Sequence, residues 1–522
     1  SVAAVGVLVA LCGWAVVGGL PWIAEEQIIQ ETHQTIVAAD FRALQELEAK
    51  LEGQIALERA PLAVRQVELA LVRTELWRRY TGDADRLLAA QDGLSVARTE
   101  GAPGLEITLV DATLSLGMGD LSRARMLIDG LPMDAPLQRI LAAQIAVRVR
   151  TDVESKALID RLGPISAGAS TLEQLSRASL YAAVDDAAKA DALRDMLLSE
   201  YRNDAFVQIA RFQEEWEEVE ADQALAQLAD VMEVLPGPVA PRQEAALHAE
   251  RARLLEEGGE HQLAEESWSA ALLLDPAHPM YLFRAASKRL KENAVLGALD
   301  DLDRCLGASP WDYACRRGMV QTLVALDRLE TARQSVDAWR DTRTQPLAAW
   351  VTLAQGQPDQ ALLELDGVEG TLAAYLRGMA LYDRGSVKAA PLLGQVVDVW
   401  SGIADPMTQI LVERARLGQS LQTKSLTEAL RTVEVAELND PIIAVMLARA
   451  LEAAGQRASA EEWYQRASEL GPESAVAQHA LGLFWFEPQG DLAGARRIWR
   501  SYLDLQPNGD RARRARARMG RR

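Results

Sequence analysis

The sequence predicts an all-α chain in which helix pairs recur along most of its length. Three observations carry this expectation. The apolar residues are mostly Ala and Leu, with aromatics at only 5%, a balance that favours helix over strand. Small residues, a glycine and a proline return with a period of 34 residues from Ala245 and Pro279 onward, and a period of that size marks stacked supersecondary units. Charge is spread through the chain and 49% of residues are hydrophobic, so disorder is excluded. A length of 522 residues would suggest three or four domains at about 150 residues each, but a repeat array sets no such limit.

The first element is residues 1–23, SVAAVGVLVALCGWAVVGGLPWI, which carry no ionisable side chain. About 20 apolar residues suffice to cross a bilayer as a helix, and Trp14 and Trp22 suit an interface. A signal peptide is the alternative, but no A-x-A cleavage site follows. A lipoprotein site at Cys12 is disfavoured by Leu11 where a small residue is needed. A retained transmembrane helix is the expectation. The chain begins at Ser1, so upstream residues are expected. Beyond the span, Glu25, Glu26, Glu31 and Asp40 precede the first basic residue, Arg42. Cytoplasmic flanks are enriched in Lys and Arg, so the C-terminal body is expected to be periplasmic or otherwise extracytoplasmic.

The next segment, 24–60, spaces Ile28, Ile36, Phe41, Leu44, Leu47 and Leu51 as one helix face. It is expected as a helical stalk. The repeats come after it. In AALHAERARLLEEGGEHQLAEESWSAALLLDP, 245–276, counting from Ala245, Ala252 is position 8, Gly259 is 15, Ala264 is 20, Trp268 is 24, Ala271 is 27 and Pro276 is 32. The block from Pro279 repeats this with Ala286, Ala298, Leu302, Cys305 and Pro310. The block from Pro441 has Ala448, Gly455, Ala460, Tyr464, Ala467 and Pro472. The block from Ala475 has Gly482, Ala495, Trp499, Tyr502 and Pro507, with one extra residue in its turn. Two antiparallel helices need small residues where they cross, a large one beside that crossing, a left-handed cap after the first helix and a stop after the second.

On these residues the chain resembles the tetratricopeptide repeat (TPR) family. The resemblance implies an all-α, right-handed α-solenoid preceded here by the transmembrane helix. Weaker blocks keep Gly119 with Ala124, Gly356 with Ala361, and Gly385 with Ala390. Residues 61–235 read as degenerate repeats, 243–507 as the regular array and 508–522 as a basic tail. PGPVAP, 236–241, is the best internal boundary.

No catalytic constellation is present. The chain has no G-x-x-x-x-G-K-[ST] and no G-x-S-x-G. EEWEEVEAD, 214–222, reads as a solvated helix face, and DDLD, 300–303, lacks the glycine and terminal Glu of a calcium loop. The histidines at 33, 248, 261, 278 and 479 form no ligand motif, so no metal and no cofactor are expected. A net charge of −20 argues against nucleic acid on the solenoid.

The family binds proteins or peptides along its concave face through the first helix of each repeat. Carried onto this chain, that implies a groove lined by Arg253, Glu256, Phe283, Ser287, Arg317, Gln321, Val445, Arg449, His479 and Leu483. The Lys and Asn of the family's carboxylate clamp are absent from these positions. Cys305 and Cys315 fall where a second helix meets the next first helix. A disulfide and a pair of small buried thiols are both open readings there. The tail from Asp510 holds seven arginines and one aspartate, suited to an acidic protein face or anionic lipid, or to a solvated helix. The expected function is a non-enzymatic, membrane-anchored protein-binding scaffold of a bacterial envelope. The alternative is the input domain of a transmembrane sensor whose cytoplasmic part lies upstream.

Overall fold

The computed structural model describes residues 20–57, 62–149, 151–166, 168–214, 219–235, 239–339, 342–403, 405–435 and 439–520. Among them every regular element is helical, mostly α, with a π turn at Trp77–Thr81 and a 3-10 turn at Thr342–Thr344. The expected all-α helix-pair repeat is what the chain adopts. Residues 1–19, which hold most of the expected span, lie outside the described residues. Among the described residues no helix is long and apolar enough to cross a membrane. The chain forms two compact units. Unit 1 runs to Tyr281 and includes Ala308–Trp311, while unit 2 comprises Leu282–Gly307 and Asp312–Arg522.

Unit 1 begins differently from the single stalk helix expected over 24–60. Two helices stand there, Leu20–Ala38 and Phe41–Ala56. Ala39 takes a left-handed φ of 56°, and the Asp40 carboxylate accepts from Ala43 N at 3.0 Å, starting the second helix as an N-cap. Its apolar face does not project. Leu44, Leu47 and Leu51, with Ile36 of the first helix, are buried in one core with Val67 and Leu71. Each fully buried aliphatic side chain contributes about 1.5–3 kcal/mol, so the core-facing leucines hold this segment on the repeats.

Helix Leu62–Leu76 is buried around nearly all its circumference. It runs into the π turn Trp77–Thr81 and stops at Gly82, φ 65°. Helix pairs follow, including Pro136–Val149 with Asp152–Leu162 and Thr171–Ala183 with Ala187–Glu200. The degenerate stretch is therefore paired helix despite its weak consensus. Of the expected boundary, 236–238 lie outside the described residues, as do 215–218 of the acidic cluster.

The repeat spacing has the packing meaning it implies. Ala252 and Ala264 in unit 1 are fully buried, as are Ala286, Ala298, Ala448, Ala460 and Ala495 in unit 2. A Cβ on Gly482 would fall 2.4 Å from Trp499 Nε1, so this pair packs with no room for a methyl. Position 15 is left-handed along the array, with Gly259 and Gly455 at φ 80° and 76°. Asn293 and Asp327 take the same position at 60° and 53°. Cys305 and Cys315 form a disulfide between adjacent helices of unit 2, with Cα atoms 6.3 Å apart.

Candidate functional site

Helix Pro406–Thr423 organises one end of the unit 2 interior. Its N-cap Asp405 accepts from Thr408 N at 2.9 Å, from Ser287 Oγ at 3.2 Å and from Arg317 Nη2 at 3.0 Å. Gln321 Nε2 donates to Met407 O at 3.4 Å, and the Arg317 guanidinium lies 5.8 Å from the Phe283 ring centre. Phe283, Ser287, Arg317 and Gln321 thus come together, but around Asp405 and Met407 of a distant helix.

Gln321 of that cluster also lines the first of three cavities that share walls. One of about 200 Å³ has Leu290, Ala325, Arg414 and Ile442 in its lining. The next, about 280 Å³, also touches Ala325, Arg414 and Ile442 and adds Trp350, Tyr375, Met379, Tyr382 and Met446. The third, about 370 Å³, shares Arg449, Val476 and Arg511 with the second. Its lining holds four arginines, Arg449, Arg511, Arg514 and Arg518, against two glutamates, Glu452 and Glu487. The three adjoin one another through these shared residues, the second with aromatic walls and the third cationic.

Internal pairing decides which of those charges remain for a ligand. Arg511 Nη1 donates to Asp327 Oδ1 at 2.6 Å and its Nη2 to Ala354 O at 2.9 Å. Arg518 pairs with Glu487 at 2.6 Å. Glu452 accepts from Tyr464 OH at 2.9 Å. Arg449, which is hydrogen-bonded to Tyr464 and lies near the Asp383 carboxylate, and Arg514 are exposed at the cavity. Burial, with the charges of Arg511, Arg518, Arg514 and Arg449, pushes the His479 imidazole down to about 3. His479 is therefore a neutral wall, packed 5.1 Å from the Tyr502 ring.

Of the ten groove residues expected, Arg449, His479 and Leu483 line one cavity together. Val445 is buried in the core beneath. Arg253 and Glu256 lie in unit 1. Arg253 is held by Glu250 at 3.0 Å and by Glu257 at 2.5 Å, and Glu256 accepts from Trp268 Nε1 at 3.1 Å. Unit 1 has a cavity of its own, about 410 Å³, but two of its arginines are internally engaged. Arg78 pairs with Glu75 at 3.0 Å and Arg242 with Asp275 at 2.6 Å.

The spacing missed the tail's part in the groove. Asp510–Met519 is a helix whose Ala512 and Ala515 are buried against Trp499 and Tyr502. Alternation of Arg with Ala at helical spacing was the signal available. No metal ligand set was expected, yet His33, Glu68 and Glu106 bring ligand atoms within 4.8 Å of one another.

No family model matches the chain, and no curated protein matches it. Among solved structures, a tetratricopeptide repeat protein from Parabacteroides merdae aligns with 47% of this chain and 98% of its own, at 14% identity and TM-score 0.34. A chain of the APC/C hetero-tetramer Cut9–Hcn1 aligns with 91% of this chain and 99% of its own, at 13% identity and TM-score 0.32. At TM-scores this low neither likeness assigns a partner or an activity to this chain.

Proposed function

We propose that the chain is a non-enzymatic TPR-type scaffold whose unit 2 groove holds an acidic segment of a protein partner. The observation that carries this is the cationic end of the groove, where Arg449 and Arg514 stand beside an aromatic middle lined by Trp350 and Tyr375. A carboxylate at the arginines, with apolar side chains along the aromatic wall, satisfies both parts. Charge-assisted contacts in a partly enclosed cavity outweigh those on open surface. The scaffold is held at a membrane by residues 1–23, with its helical body outside the cytoplasm. The uncharged run and its acidic flank support the anchor and the side. The Cys305–Cys315 disulfide suits an oxidising compartment.

The test is fluorescence anisotropy of the purified chain with labelled peptides that carry acidic and aromatic residues, against charge-reversed versions. Acidic peptides are expected to bind, with affinity falling as salt rises. Arg449→Glu with Arg514→Glu is expected to weaken binding at least about tenfold. Equal affinity for charge-reversed peptides, or no change in the double variant, overturns the reading. Protease accessibility in intact cells tests the side of the membrane. Intact mass after alkylation, with and without reductant, tests the disulfide in protein from its native source.

A further inference from the structure

Three side chains from three helices of unit 1 converge in its interior. His33 comes from Leu20–Ala38, Glu68 from Leu62–Leu76 and Glu106 from Gly104–Gly117. One ligating atom of each lies within 4.8 Å of the other two, and His33 Nε2 is 3.0 Å from Glu106 Oε2. Glu68 is 0% exposed and Glu106 3%, while the His33 side chain is 15% exposed. No hydrogen bond of good geometry reaches either Glu68 oxygen, and the polar groups beside it are the Thr32 hydroxyl and the Glu106 carboxyl.

Two carboxylates in an apolar interior demand compensation, because an isolated buried charge is very costly. Glu106 has the His33 imidazole beside it. Glu68 has only the Thr32 hydroxyl and the Glu106 carboxyl beside it, neither of them a cation, so its charge is the one left to account for. Burial and the nearby Glu106 charge push the Glu68 carboxyl well above the usual carboxylate range. A proton is therefore the rival occupant.

The geometry points to a divalent transition-metal site of the zinc type, with His33, Glu68 and Glu106 as its protein ligands. One imidazole and two carboxylates neutralise a doubly charged ion. The imidazole selects a transition metal over magnesium or calcium, which prefer oxygen. Three protein ligands leave a fourth tetrahedral position for water. Donors around tetrahedral zinc stand about 3.4 Å apart, so the widest separation allowed here, 4.8 Å, closes by about 1.4 Å on binding. The ion ties helix Leu20–Ala38 to helices Leu62–Leu76 and Gly104–Gly117. Its ligands lie up to 73 positions apart, so such a site adds stability only to the folded state.

The experiment uses the whole chain, stripped with a chelator and titrated with zinc chloride, with magnesium chloride as control. Metal content is read by mass spectrometry, stability by thermal melting and helix content by circular dichroism. One zinc per chain and a raised Tm are expected, with no response to magnesium. Glu68→Gln and His33→Gln, each checked for intact helix content, are expected to weaken zinc binding more than about 100-fold, beyond the loss caused by removing an outer-shell partner. A folded parent chain that takes up no zinc overturns the proposal, and a raised Tm in Glu68→Gln would then assign the pair to a shared proton. Zinc binding unchanged in both variants also overturns it, since the ion then sits elsewhere.

Discussion

Each unit joins parts far apart in sequence through a buried aspartate and an arginine, but the two seams are built differently. In unit 1, Arg242 pairs with the fully buried Asp275 at 2.6 Å. Its Nη1 also donates to Trp77 O and Arg78 O at 3.0 and 2.6 Å, across as many as 165 positions. One arginine thus serves both the carboxylate and the π turn, while Asp275 Oδ1 has no partner. In unit 2 the work is shared. Asp327 accepts from Arg511 at 2.6 Å and from Tyr502 OH at 2.9 Å, and its carbonyl accepts from Gln506 at 3.0 Å. A seam resting on one residue fails with that residue, whereas a shared seam weakens by steps.

The largest expected effect follows from that contrast. Arg242→Ala leaves a buried carboxylate without its cation, a change that typically costs about 3–5 kcal/mol. Arg511→Ala leaves Tyr502 donating to Asp327 and is expected to cost less, about 2 kcal/mol. Denaturant unfolding measures both, and segment-resolved hydrogen exchange assigns each loss to its unit. Equal losses would break the comparison. Gly482→Ala comes next, at about 1–3 kcal/mol, because its methyl must displace Trp499.

The units are expected to share a pH response. Burial, then Arg242 and Arg148, pushes His278 of unit 1 down to about 3. His479 of unit 2 is at about 3 as well. Both sit below the ordinary 6.5, so between pH 6.5 and 3 the unfolded chain binds more protons. Stability from these groups is full above pH 6.5 and falls as pH drops through that window. His278→Gln and His479→Gln are each expected to flatten the slope relative to the parent chain, and an unchanged slope would remove the histidines from the account. The smallest effect is expected at the exposed arginines. Arg449→Glu and Arg514→Glu should each shift stability by no more than about 0.5 kcal/mol while lowering acidic-peptide affinity. A large stability loss would make those arginines structural.

The helix pairs were legible because crossing helices need small residues on a fixed beat. Ala252 with Ala264 and Gly482 with Trp499 obey that need wherever the repeat occurs. The seams were not legible. Asp327 occupies the glycine position of its repeat, and nothing local marks it as the partner of Arg511, 184 positions away. The groove was legible only in part, for the same reason. Positions on first helices located Arg449, His479 and Leu483, but could not show that Asp405 engages Ser287 and Arg317. The bend at Ala39 had one local signal, Asp40 as a helix cap, which the continuous apolar spacing masked.

The distance from Asp327 to Arg511 also sets a schedule for synthesis. The seam of unit 1 has both charged partners once Asp275 is made. Asp327 must wait for 184 further residues, roughly 10–40 s at ordinary rates of chain growth. During that interval the carboxylate lacks its cation, and the wall formed by Trp350 and Tyr375 lacks the helix that carries Arg511. Both stay without their partner until the arginine-rich helix Asp510–Met519 has been made.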